Sequence, residues 1–67
     1  MDEGILLKNE TDGVMTLTLN RPEIMNSLNF DLLRALRDHI EAVRFNKDVR
    51  VVIITGTGEK AFCAGAD

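Results

Sequence analysis

The chain has no tryptophan and no tyrosine, and its 67 residues include one cysteine and one proline. A single cysteine cannot form an internal disulfide, which is typical of a protein from a reducing compartment. The apolar run from Val51 to Ile54 is far too short to cross a membrane. The acidic opening Met1-Asp2-Glu3 does not resemble a secretory signal. We therefore expect a soluble, cytoplasmic protein without a membrane partner.

Basic residues are few and scattered. Eight Lys and Arg stand against eleven Asp and Glu, for a net charge of −3. This balance argues against a nucleic-acid surface, which needs clustered positive charge. The length allows one domain at most, and a chain this short buries only about 60% of its unfolded surface. A solitary fold would therefore be marginal.

The first third of the chain predicts an antiparallel hairpin. Ile5 to Lys8 is a short apolar strand, and Thr11-Asp12-Gly13 is a turn signal. The next segment, Val14 to Leu19, alternates apolar and less apolar positions, as in a half-buried strand. Its apolar face consists of Met15, Leu17 and Leu19.

A helix follows an irregular connection. Pro22 ends the second strand, because it has no amide for the ladder, and Glu23 to Leu28 is irregular or a single helical turn. Asn29 or Asp31 can cap a helix that runs from about Phe30 to Phe45. Spacings of three and four residues predict one apolar stripe, formed by Leu33, Leu36, Ile40 and Val43.

The last strand, Val49 to Thr55, has an apolar run without alternation. This pattern predicts a parallel strand that is buried on both faces. The order of elements is then strand, strand, helix, strand and a glycine-rich loop, an α/β arrangement. Ligands of open parallel sheets bind beyond the carboxyl ends of the strands, and the loop from Gly56 to Asp67 occupies that position.

Three interpretations of this loop are open. Gly56 to Ala61 matches a dinucleotide fingerprint, but that function requires a helix from the second glycine, and Glu59 would place a negative charge at the pyrophosphate. Alternatively, the loop is a glycine-rich connection without a ligand. The third possibility is an oxyanion site, in which backbone amides between small residues stabilise the enolate of a thioester. Cys63 has no visible His partner, so we interpret it as a packing residue.

Four segments together resemble the enoyl-CoA hydratase/isomerase (crotonase) family in order and spacing. They are Leu19–Glu23, Asn26–Leu28, Val51–Gly56 and Lys60–Asp67. The resemblance implies a spiral of ββα units, usually assembled as homotrimers or as hexamers made of two trimers. Residues 1–67 would form the N-terminal part of one crotonase-like domain, namely its first β-hairpin, helix and parallel strand.

The resemblance also implies roles for residues of the glycine-rich loop. Ala66 would donate one of two oxyanion N–H groups. The backbone at Ala64 would meet the adenine of coenzyme A, and Gly65 and Asp67 would line the path of the thioester and pantetheine. Coenzyme A would arrive as part of the substrate, with no permanently bound cofactor and no metal.

A second implied binding segment lies earlier in the chain. Ile24 and Met25 match the segment that passes the nucleotide end of coenzyme A, and Asn26 would tie down that turn by side-chain hydrogen bonds. Two positions depart from the family pattern: Glu23 stands where some members carry a basic residue, and Ser27 replaces a common alanine. These departures put phosphate binding by this segment in doubt.

The implied function is that of an acyl-CoA-processing enzyme, and hydration of 2-trans-enoyl-CoA through a thioester enolate is the expected reaction. The family's second oxyanion amide and its two acid–base glutamates have no counterpart before Asp67. Glu23, Glu41 and Glu59 do not substitute for those glutamates, and we expect the 67 residues alone to be inactive. The alternatives are another reaction of the family, such as enoyl-CoA isomerisation, thioester hydrolysis or decarboxylation, and a non-catalytic module for association or cofactor binding.

Overall fold

A computed structural model describes residues 2–59 and 61–65. The elements are helix α1 (Asp2–Ile5), strands β1 (Leu6–Thr11) and β2 (Val14–Leu19), a 3₁₀ turn (Pro22–Ile24), helix α2 (Phe30–Val43) and strand β3 (Val51–Gly56). The predicted order of two strands, a helix and a third strand is confirmed. The first strand begins one residue later than predicted, because Ile5 belongs to α1. It also ends later, at Thr11 instead of Lys8. In the part of the chain that the structure describes, no helix is long and apolar enough to span a membrane.

The predicted hairpin is confirmed. β1 pairs with β2 in antiparallel orientation, with Thr11 opposite Val14. The two residues between them, Asp12 and Gly13, have φ values of +54° and +82°. Positive φ at both central positions is the requirement of a tight hairpin turn, and Asp-Gly meets it at low cost.

The three strands form one sheet in the order β1-β2-β3. β3 runs parallel to β2, with Leu17 opposite Ile54 and Leu19 opposite Gly56. The parallel pairing is therefore also confirmed, and α2 is the crossover that such a pairing requires. As a consequence, the chain leaves β2 and β3 at the same end of the sheet, where both strands have their carboxyl ends.

The core lies between one face of the sheet and α2. The predicted inner face of β2 is confirmed, since Met15, Leu17 and Leu19 are all buried. Among the described residues, the buried cluster consists of Leu6, Met15, Leu17, Leu19, Leu32 and Ala35.

The predicted stripe of α2 is confirmed in part, since Leu36 and Val43 pack against the core, but the most buried residues of the helix lie outside it. The fully buried side chain is Leu32, whereas Leu33 and Ile40 are 42% and 43% exposed. The sequence contains two overlapping apolar stripes one residue apart, which lie about 100° apart around a helix. The small Ala35 lets the helix approach the sheet on the Leu32 side. The helix also ends at Val43, two residues before the predicted end.

The prediction that β3 is buried on both faces is wrong for this chain. Val51 to Thr55 are exposed, and the four apolar side chains among them are 37–50% exposed. β3 lies at the edge of the sheet, and none of its residues belongs to the buried cluster of the described chain. A strand with this composition needs cover that the described residues do not supply.

Candidate functional site

Two loops lie side by side where the chain leaves the parallel strands. We call residues 20–28 the β2 loop and residues 57–65 the β3 loop. They start next to each other because Leu19 and Gly56 are paired in the sheet. The ladder continues into the β3 loop, since the amide of Thr57 donates to the carbonyl of Leu19 at the end of β2 at 2.9 Å.

The β2 loop is a tightly wound turn. Its 3₁₀ turn starts with Pro22, whose fixed φ suits the first helical position. The next two residues, Met25 and Asn26, have φ values of +54° and +59°. The amide of Asn26 donates to the carbonyl of Arg21 at 2.8 Å, and the Arg21 guanidinium donates to the carbonyl of Ser27. The backbone thus reverses within a few residues, consistent with the irregular connection that the sequence predicts.

Asn26 is completely buried and connects the two loops. Its Nδ2 donates to the carbonyls of Thr57 at 2.9 Å and Ala61 at 3.2 Å. Its Oδ1 accepts from the amide of Arg21 at 2.7 Å. The prediction that Asn26 ties down its own turn is confirmed. The contacts to residues 31 and 35 positions later were not predicted, because no local sequence pattern signals them.

Backbone hydrogen bonds join the same loops further along. The amide of Ala64 donates to the carbonyl of Met25 at 3.0 Å, and the amide of Leu28 donates to the carbonyl of Gly65 at 2.8 Å. The structure therefore joins the two segments that hold the predicted binding residues: Met25 is bonded directly to Ala64, Gly65 is bonded to Leu28, and Ile24 precedes Met25 in the β2 loop. Ala66 and Asp67 lie outside the described residues.

Gly56 allows this close approach. A Cβ at this position would lie 2.3 Å from the Phe62 carbonyl oxygen and 2.7 Å from Asn26 Nδ2. Gly65 is glycine for a different reason, since its φ is +112° and nothing lies within 4 Å of an added Cβ. Both Gly65 and Ala64 are exposed, so a ligand can reach the backbone beside them.

A groove of about 530 Å³ separates the outer parts of the two loops. Two carboxylates, those of Glu23 and Glu59, border it. Both are exposed, and none of the described residues that line the groove carries a basic side chain, so the described lining offers phosphate no basic partner. The lining residues are Pro22, Glu23, Met25, Thr57, Gly58, Glu59 and Ala61.

The geometry excludes one of the three interpretations of the β3 loop. A dinucleotide site would need a helix beginning at Gly58, whereas residues 57–59 form a bend and residues 61–65 contain no helix. Cys63 is half-buried and packs against the core, in agreement with a packing role, and its Sγ accepts from the amide of Gly65 at 3.5 Å.

Known proteins resemble the chain in sequence and in structure. A sequence model of the enoyl-CoA hydratase/isomerase family matches residues 14–67. The chain belongs to the enoyl-CoA hydratase/isomerase family. An enoyl-CoA hydratase structure from Bacillus anthracis, of the same crotonase fold, superimposes with a TM-score of 0.91 and 42% identity, over 94% of this chain and 25% of that one.

Members of the family with different named reactions are similarly close to this chain. The crotonyl-CoA hydratase of Syntrophomonas wolfei is 45% identical over 65 residues, which are 97% of this chain and 25% of the relative. The mitochondrial 3-hydroxyisobutyryl-CoA hydrolase of Gallus gallus is 40% identical over 62 residues, which are 92% of this chain and 16% of the relative. The chain thus spans a quarter or less of the length of these family members.

Proposed function

We propose that this chain supplies part of the acyl-CoA site of an enzyme that adds water to 2-trans-enoyl-CoA. The observation that carries the proposal is the pairing of the β2 and β3 loops, which holds Met25 against Ala64 and Leu28 against Gly65. Membership of the family, with a crotonyl-CoA hydratase among the relatives, supports the choice of reaction.

In the proposed mechanism the Ala66 amide stabilises developing charge. Water adds to C3 of the enoyl thioester, and the electron pair of the C2–C3 double bond moves toward the thioester carbonyl, which becomes an enolate. The Ala66 amide and one further donor would hold the enolate oxygen, and donors fixed in advance are worth most at this point. A base outside these residues takes one proton from the water as its oxygen bonds to C3, and an acid gives a proton to C2, so that H and OH are added without an oxidant or reductant.

The carboxylates in this chain do not serve as acid and base in the proposal. Glu23 and Glu59 are exposed at the rim of the groove, and Glu41 lies on the surface of α2 within 3.2 Å of the Arg44 guanidinium. The acid–base groups belong to parts of the protein beyond these residues. The proposal also includes a cytoplasmic homotrimer or hexamer that acts on free acyl-CoA and binds no nucleic acid.

Thioester hydrolysis is the second candidate, because a 3-hydroxyisobutyryl-CoA hydrolase is 40% identical to this chain. A tetrahedral oxyanion formed by water attack on the thioester carbonyl would need the same two donors. Residues outside the chain would then decide between addition to C3 and attack on the carbonyl.

A chimera tests the proposed function. The full chain replaces the aligned quarter of the Syntrophomonas wolfei crotonyl-CoA hydratase, and loss of the enoyl-thioester absorbance of crotonyl-CoA measures hydration. We expect turnover within about tenfold of the unchanged relative. A tenfold loss of rate corresponds to about 1.4 kcal/mol of lost transition-state stabilisation, and a poorly matched site would lose more than this. Release of free thiol measures hydrolysis in parallel. A folded chimera that does neither contradicts the proposal.

A further inference from the structure

Asn26 is more buried and makes more distant hydrogen bonds than its role in a turn requires. Its side chain is completely buried. It belongs to the β2 loop and faces the β3 loop, and these two loops follow strands that are paired in the sheet. Each polar atom of its amide has partners: Nδ2 donates to the carbonyls of Thr57 and Ala61, and Oδ1 accepts from the amide of Arg21 and from the Thr57 hydroxyl. A buried network in which every member is satisfied is rigid, and losing one partner leaves the others costly to bury.

The chemistry of this position favours asparagine over its near relatives. The carbonyls of Thr57 and Ala61 require two donors, and the Arg21 amide requires an acceptor. A carboxylate offers no donor, and a hydroxyl offers one. The backbone φ of +59° is also one that asparagine adopts more readily than most other residues.

The contacts of Asn26 lie directly beside the predicted binding residues. One residue before it, the Met25 carbonyl accepts from Ala64, and two residues after it, the Leu28 amide donates to Gly65. From the opposite side, Gly56 leaves just enough room for Nδ2. Asn26 therefore fixes the distance between the β2 loop and the part of the β3 loop that precedes Gly65.

We propose that Asn26 is a positioning residue, which sets the place of the oxyanion backbone through the β3 loop without touching the substrate. The inference rests on the proposed function. Displacement of a reacting group by about 1 Å can cost on the order of 100-fold in rate. Because oxyanion donors act mainly in the transition state, loss of Asn26 should lower kcat and leave KM nearly unchanged.

Two substitutions in the chimera test this role. Asn26→Gly keeps the positive φ accessible and removes all four side-chain hydrogen bonds, and we expect kcat to fall about 10- to 100-fold. Asn26→Asp turns a carboxylate oxygen toward two carbonyls. Its kcat relative to the unchanged chimera should rise as the pH falls, because a protonated carboxyl regains one donor.

Asn29→Ala is the matched control. Asn29 caps α2 by accepting from the amide of Leu32 at 2.8 Å, and no hydrogen bond from its side chain reaches the β3 loop among the described residues. Its loss lowers stability without moving the loop, so kcat should stay within about twofold at temperatures well below melting. This control separates a general loss of stability from a loss of position.

Amide hydrogen exchange supplies a measurement that does not depend on turnover. Asn26→Gly should speed exchange in residues 57–65, and Asn29→Ala should speed it at the start of α2 alone. Unchanged exchange in the β3 loop, unchanged kcat, or failure of both Asn26 variants to fold would each overturn the positioning role. An inactive unchanged chimera with faster loop exchange in Asn26→Gly would instead contradict the proposed function and leave the loop-fixing role supported.

Discussion

Two glycines of this chain are required for different physical reasons. Gly13 has a φ of +82° in the hairpin turn, which side chains other than asparagine and aspartate avoid. Gly56 ends β3 opposite Leu19, and what it requires is space, since an added Cβ would meet the Phe62 carbonyl at 2.3 Å. The turn glycine could be predicted from the Asp-Gly pair. The packing glycine could not, because its neighbours come from distant positions.

Gly56→Ala should destabilise the chimera. The new methyl group would press on backbone on one side and on the Asn26 amide on the other, and overpacking of this kind costs about 1–3 kcal/mol. Gly4→Ala is the control, because nothing lies within 4 Å of its added Cβ and it lies within α1. Thermal melting of the two variants measures the difference. Equal melting temperatures would show that the loops do not approach as closely as described.

Ala66→Pro tests the proposed oxyanion donor. Proline has no amide hydrogen, so the enolate would lose one of its two donors, and kcat of the chimera should fall about 10²- to 10³-fold. Ala66→Ser keeps the N–H and should lose far less. Comparable losses in both variants would indicate that the side chain at this position, and not its amide, matters for turnover.

At the scale of elements, local chemistry predicted the hairpin turn and the start of α2 better than the face that α2 buries. The Asp12-Gly13 turn was predicted, and Asn29 was one of two predicted caps, because each feature needs only a few neighbouring residues. The face of α2 was not, because Leu32 and Leu33 begin two apolar stripes of similar strength. Contact with β1 and β2 decided between the stripes, and the sequence does not display that contact.

Leu32→Ala and Leu33→Ala form a matched pair for the orientation of α2. Leu32 is completely buried and Leu33 is 42% exposed. Removing the buried side chain should cost about 2–5 kcal/mol of unfolding free energy, through lost transfer energy and the cavity left behind. The exposed leucine should cost clearly less. Urea unfolding of the two chimeras measures both values, and a larger loss for Leu33→Ala would reverse the assigned face.

For the whole molecule, the sequence predicted a ligand loop beyond the carboxyl ends of the parallel strands but not the hydrogen bonds that join it to the β2 loop. Parallel strands bring their carboxyl ends to one edge, so a site there could be expected from topology alone. The bridge from Asn26 to Thr57 and Ala61 depends on tertiary packing over 31 and 35 residues. The apolar run of β3 likewise signals a need for cover without stating what supplies it.

The exposure of β3 leads to a prediction about the isolated chain. In the part of the chain that the structure describes, six side chains form the buried apolar cluster, whereas Val51, Val52, Ile53 and Ile54 are 37–50% exposed on an edge strand. A small core gives marginal stability, and an uncovered apolar edge favours association. We therefore expect the isolated chain to associate and to lack a sharp cooperative melt. We also expect no hydration of crotonyl-CoA, which the absorbance assay checks.

Lysine substitutions in β3 test whether the rest of the protein covers the apolar side chains of this strand. Val52→Lys with Ile54→Lys changes two residues that point to the same face. In the isolated chain this variant should reduce light scattering, because charge on an edge strand opposes pairing with other chains. In the chimera it should lower the melting temperature, because the rest of the protein would cover that face and bury the charges. A sharp melt of the unmodified isolated monomer, or a chimera that tolerates both lysines, would show that β3 needs no cover.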